Sequence, residues 1–71
     1  MNKEEELIYD LIFSDKSKFE IDISDYISDI YEYKKFVSDI LKVLRKAKVE
    51  IVENRITTYY NTMIWYLKLK R

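Results

Sequence analysis

The chain has 71 residues with 13 basic and 13 acidic side chains, no cysteine and no histidine. That length supports one small domain, 1–71, which buries only about 60% of the surface its unfolded chain exposes. The missing residue types exclude disulfide staples, Cys/His zinc sites and imidazole catalysis. No apolar run is long enough for a signal peptide or a membrane span, so an intracellular protein without a membrane partner is expected. Glycine and proline are absent and Ala47 is the sole alanine. That bias against GC-rich codons points to an AT-rich source such as a virus or plasmid.

The zero net charge is a cancellation. Residues 1–32 hold three bases against ten acids, −7, and residues 33–71 hold ten bases against three acids, +7. Such asymmetry points to a polyanionic partner for the basic half, or to two halves that attract each other on folding.

The first element is a predicted helix over 3–13. Leu7, Ile8, Leu11 and Ile12 share a face, and Glu4, Glu5 and Glu6 occupy the first turn, where the helix dipole favours them. Ser14-Asp15-Lys16-Ser17 is a polar break. Phe19, Ile21 and Ile23 alternate with Glu20 and Asp22, the pattern of a short strand. Asp22 or Ser24 can cap a second helix with apolar positions Ile23, Tyr26, Ile27 and Ile30.

A third helix follows over about 34–47. On a wheel of about 100° per residue, Phe36, Val37, Ile40, Leu41, Val43, Leu44 and Ala47 fill one arc. Lys34, Lys35, Ser38, Asp39, Lys42, Arg45 and Lys46 fill the other. Nothing between Ile30 and Lys34 breaks a helix, and Ile23, Ile27, Ile30, Tyr33, Val37, Leu41 and Leu44 approximate heptad positions of one long helix. The apolar faces before and after the join differ by roughly 80°, whereas a heptad repeat drifts only about 40° over this length. A bend at Tyr31-Glu32-Tyr33 is therefore expected. Beyond it the period becomes two, which predicts a hairpin from Val49–Asn54 and Met63–Lys70. The expected register pairs Ile51 with Leu67 and Val49 with Leu69, with the tip at Thr58-Tyr59-Tyr60-Asn61.

The core spacing Val37, Leu41, Leu44, then Val49 with Ile51, resembles a common winged-helix pattern. The closing TTYYNTMIWYLKLKR is similar to the aromatic last strand of the winged helix in the archaeal and eukaryotic transcription factor E large subunit. The resemblance runs from Ile23 onward and rests mostly on core positions. It implies an α+β fold, the winged helix-turn-helix, with three helices, a short strand and a C-terminal β-hairpin wing. A glycine-containing wing, usual in that family, is absent. The same stretch is also similar to domains that bind left-handed Z-form nucleic acid. Ser38 and Lys42, however, stand where that family carries asparagine and tyrosine, and its proline pair is missing, so that reading is set aside.

No Ser/His or Cys/His set and no glycine-rich phosphate loop is present. The expectation is no enzyme, no catalytic residue, no metal and no cofactor. Duplex DNA is the expected partner. Lys34, Lys35, Ser38, Lys42, Arg45 and Lys46 offer donors for phosphates and base edges in the major groove, with Arg45 suited to guanine. Arg55, Tyr59, Tyr60 and Asn61 near the wing are candidates for the backbone or minor groove. Chain length and the surplus of aromatics point to a homodimer. The alternative is a protein-interaction module docking through the acidic first helix, with Tyr9 and Phe13 beside its apolar face.

Overall fold

The computed structural model describes residues 2–71. It is an α+β arrangement of two α-helices and a three-stranded antiparallel sheet. Helix α1 spans Lys3–Phe13 and helix α2 spans Tyr33–Lys46. Strands β1 (Lys18–Asp22), β2 (Ile51–Tyr59) and β3 (Thr62–Leu69) lie in the order β1-β3-β2.

Where the sequence predicts a second α-helix there are two single 3-10 turns, Ile23–Asp25 and Ile30–Glu32. The expectation of three helices is corrected on this point. The cause is local. Between Ile23 and Tyr31 the chain is built of Ile, Ser, Asp and Tyr, all middling helix formers, with no Ala, Leu, Glu or Lys. Its acids also bind nearby backbone instead of leaving it to a helical ladder. The Asp22 carboxylate accepts from the Ser24 N–H at 3.1 Å and from its hydroxyl at 2.6 Å. The Asp29 carboxylate accepts from the Tyr31 N–H at 3.0 Å. The break before α2 lies where the offset of the two apolar faces places it, and no long continuous helix forms.

Each helix end has a visible cause. The Asn2 side chain accepts from the Glu5 N–H at 2.8 Å and caps α1. No basic residue occupies the last turn of α1. Arg71 supplies that charge from the far end of the chain: its guanidinium donates to the carbonyls of Leu11, Ile12 and Lys16. Helix α2 closes with the Val49 N–H donating to the Leu44 carbonyl at 2.9 Å and the Lys48 N–H to the Arg45 carbonyl at 3.0 Å. This is the Schellman pattern, which places one residue in the left-handed region. With no glycine in the chain, Lys48 takes that position at φ 60°.

The register of the hairpin also differs from expectation. Ile51 pairs with Leu69, not Leu67, and a bulge between Ile51 and Glu53 shifts the ladder. Tyr59 then pairs with Thr62 and the tip is the two-residue turn Tyr60-Asn61. The extra residue, Val52, lies in β2 itself and flips its alternation, so that Ile51 and then Asn54 and Ile56 face the core, a shift that an unbroken alternation over Val49–Asn54 does not include. Tyr60 carries a positive φ of 55°.

One cluster of buried residues joins the layers. Leu7 and Leu11 from α1 and Phe36, Val37, Ile40 and Leu44 from α2 pack with Phe19, Ile21, Trp65, Leu67 and Leu69 of the sheet. Trp65 is fully buried, and its indole N–H donates to the Asn54 side-chain oxygen at 2.6 Å. Phe36 meets Trp65 edge-on with centroids 6.2 Å apart and stacks on Tyr26 at 5.7 Å. That aromatic run ties the 3-10 segment, α2 and the central strand together. It also fixes which side of α2 remains outside.

Candidate nucleic-acid interface

Lys34, Lys35, Ser38, Lys42, Arg45 and Lys46 are all exposed on α2. The apolar arc of the helix supplies four of the fully packed core residues, so the opposite arc faces outward. The two ion pairs among the described residues, Glu53–Arg55 and Glu50–Lys70, involve none of the bases on α2.

The basic face is divided by its neighbours. Lys34, Ser38 and Arg45 rim a shallow groove of about 210 Å³ between α2 and β2, floored by Val37, Leu41 and Ile56. On the opposite flank Lys35 lines a smaller groove of about 130 Å³ with Glu4, Glu32 and Asp39. Three carboxylates there lower the local potential, so Lys35 is the least available of these bases to an anion. Lys42 stands between the two flanks. Lys46 lies in the last turn beside Arg45, where positive charge also suits the helix dipole.

Arg55 is not part of this constellation. In the sheet it pairs with Tyr66, whose neighbours Trp65 and Leu67 are the buried ones. Arg55 and Tyr66 therefore share the outer face, away from the helices. The Arg55 guanidinium lies over the Tyr66 ring at 4.5 Å and contacts Glu53 at 3.4 Å. Tyr59 and Tyr60 are 66% and 88% exposed at the hairpin tip, in edge contact with centroids 4.5 Å apart. No charged side chain occurs between Arg55 and Lys68. The tip thus offers aromatic and hydroxyl contacts and no cation for a phosphate.

Sequence reasoning named the rim of the groove but missed its floor. The signal was present: Lys34, Ser38 and Arg45 are spaced by four and seven, which aligns them along one edge of the apolar arc. The part played by Ile56 depends on the hairpin register and could not be read locally. No known protein family, curated protein or solved structure matches the chain.

Proposed function

We propose that this domain binds double-stranded DNA in the manner of a winged helix, with α2 as the recognition helix in the major groove and the β2–β3 hairpin as the wing, and that it acts as a small transcription regulator. The observation that carries the reading is the unpaired basic face of α2, held outward by its own core side. Element order supports it: helix, strand, helix, strand, strand, with the last strand central in the sheet. The two 3-10 turns occupy the place of the middle helix. Lys34, Lys42 and Arg45 are the leading contacts, with Ser38 as a short donor among them and Arg45 as the candidate guanine reader.

The test is the Lys34→Ala, Lys42→Ala, Arg45→Ala triple variant, titrated against duplex DNA at two salt concentrations. Each lost phosphate contact flattens the log–log salt slope by about one unit. Lys35→Ala alone is expected to change the slope least. A folded triple variant with unchanged affinity and slope removes the proposal.

One observation favours a second reading, a protein-docking module. The charge-free hairpin tip and the Tyr9–Phe13 pair on α1, whose rings are 4.9 Å apart and whose side chains are exposed, are surfaces of the kind that proteins recognise. A docking module shows no salt-dependent binding to random duplex at any salt concentration.

A further inference from the structure

The two edges of the sheet are unequal. The Lys70 N–H donates to the Glu50 carbonyl at 3.0 Å, and the Leu69 N–H donates to the Ser17 carbonyl at 2.8 Å. Even-numbered residues of β3 therefore bond towards β2 and odd-numbered ones towards β1. Through the observed register, Glu53, Arg55, Thr57 and Tyr59 turn their backbone groups inward to β3. The N–H and C=O groups of Asn54, Ile56 and Thr58 face away from the sheet. On β1 the same reasoning leaves Lys18, Glu20 and Asp22 outermost, so that edge is short and charged, which is how proteins blunt an edge. The β2 edge is longer, nine residues against five, its charges Glu53 and Arg55 are confined to its first five residues, it has no proline, and Ile56, Thr57, Thr58 and Tyr59 are good strand formers.

We propose that the β2 edge pairs with the β2 edge of a second copy, antiparallel, about a two-fold axis through Ile56. The bulge-free stretch runs from Glu53 to Tyr59 and Ile56 is its midpoint. This register sets Ile56 against Ile56, Asn54 against Thr58, Arg55 against Thr57 and Glu53 against Tyr59 of the second copy. Each polar pair matches a donor to an acceptor. Other registers are worse. Centring on Arg55 sets two guanidiniums opposite each other, which destabilises a strand pair. Centring on Asn54 runs the ladder into Val52 at the bulge, and centring on Thr57 requires Tyr60, which belongs to the turn. The product is one sheet continuous across both copies, with both α2 helices on the same face. This pairing stands independently of the nucleic-acid reading and gives the homodimer expected from chain length an interface.

The chain has no native cysteine, so single-cysteine variants test the register directly. Directly opposed residues in a hydrogen-bonded antiparallel pair have Cα atoms about 5.5 Å apart, within the roughly 4.4–6.8 Å that a disulfide spans. Ile56→Cys should therefore cross-link two copies under mild oxidation. Thr58→Cys should not, because its two copies lie on the order of 13 Å apart. Sedimentation of the wild type at micromolar concentration should show a dimer. Thr58→Pro removes an outward N–H that the monomer does not use, so it should sediment as a monomer with an unchanged circular-dichroism spectrum. A wild type that remains monomeric at every concentration overturns the proposal. So does a dimer in which Thr58→Cys cross-links as readily as Ile56→Cys, a result that decides the matter even where Thr58→Pro fails to fold.

Discussion

Leu41 and Leu44 belong to the same apolar arc, yet their surroundings differ. Leu44 is fully buried, whereas Leu41 is half-buried at the floor of the groove beside β2. Leu44→Ala should cost about 2–5 kcal/mol and leave little of so small a domain folded. Leu41→Ala should cost clearly less, because solvent and mobile rim side chains can fill the space. Comparing the two in urea denaturation checks the assignment. Lys48 gives a prediction of opposite sign. A residue with a Cβ in the left-handed region is strained by roughly 1–2 kcal/mol, and glycine escapes that strain while losing more backbone entropy. Lys48→Gly should raise stability by up to about 1 kcal/mol, read as a higher denaturation midpoint. Both side chains show what local pattern conveys. The wheel sorts inside from outside correctly for nearly all of α2, but it cannot grade the margin of the arc. That grade depends on how closely β2 approaches.

Among the elements, α1, α2, β1 and β3 follow from periodicity because each has a one-sided apolar pattern, whereas β2 is legible only over Ile51–Asn54, since no position of Ile51–Tyr59 is fully buried. The segment between β1 and α2 does not follow from periodicity. Its apolar residues, Ile23, Tyr26, Ile27 and Ile30, have helical spacing, and all of them do pack on the core or into it. The backbone nevertheless takes two tight turns, because Asp22 and Asp29 capture it. Spacing reports which side chains are buried, and capping chemistry decides what backbone carries them. Helix α1 makes the complementary point. Its C-terminal carbonyls are met by Arg71, which no window of local sequence could associate with them. Arg71→Ala should destabilise the domain by about 1–2 kcal/mol, since charged hydrogen bonds to helix-end carbonyls are lost together. Arg71→Lys should recover only part of that, because one ammonium cannot reach several carbonyls in a fork. Amide hydrogen exchange in the last turn of α1 would show the loss first.

For the whole molecule, the charge asymmetry is legible in composition, and the structure sets the acidic and basic segments on neighbouring elements that meet where Glu4 and Lys35 line one groove. Glu6, Asp10 and Asp25 gather around Tyr26 beside α1, and the bases lie on α2. Burial first, and then the nearby Asp25, Asp10 and Glu6 carboxylates, raise the Tyr26 phenol above its ordinary value of 10.0. The folded state therefore holds that proton longer than the unfolded chain does. This contribution to stability is complete below about pH 10 and is lost as pH rises through the folded-state value. Tyr26→Phe should make the alkaline fall in melting temperature less steep, measured by thermal melts from neutral to strongly alkaline pH. Equal slopes in variant and wild type would show that the phenol titrates alike in both states. The strand order and the bulge were beyond reach of sequence alone. Both depend on contacts between residues far apart in the chain, where alternation reads the same for several registers.

The central strand of the sheet is β3, the last element in chain order, and it is bonded to both β1 and β2. Neither edge strand has a partner until β3 arrives. Synthesis from the N-terminus therefore leaves a nascent segment through Asn61 with helices able to flicker and no ladder to hold them. Closure across the long interval from β1 to β3 is slow relative to local helix formation. Closure of the sheet thus waits on β3, the segment that carries Trp65.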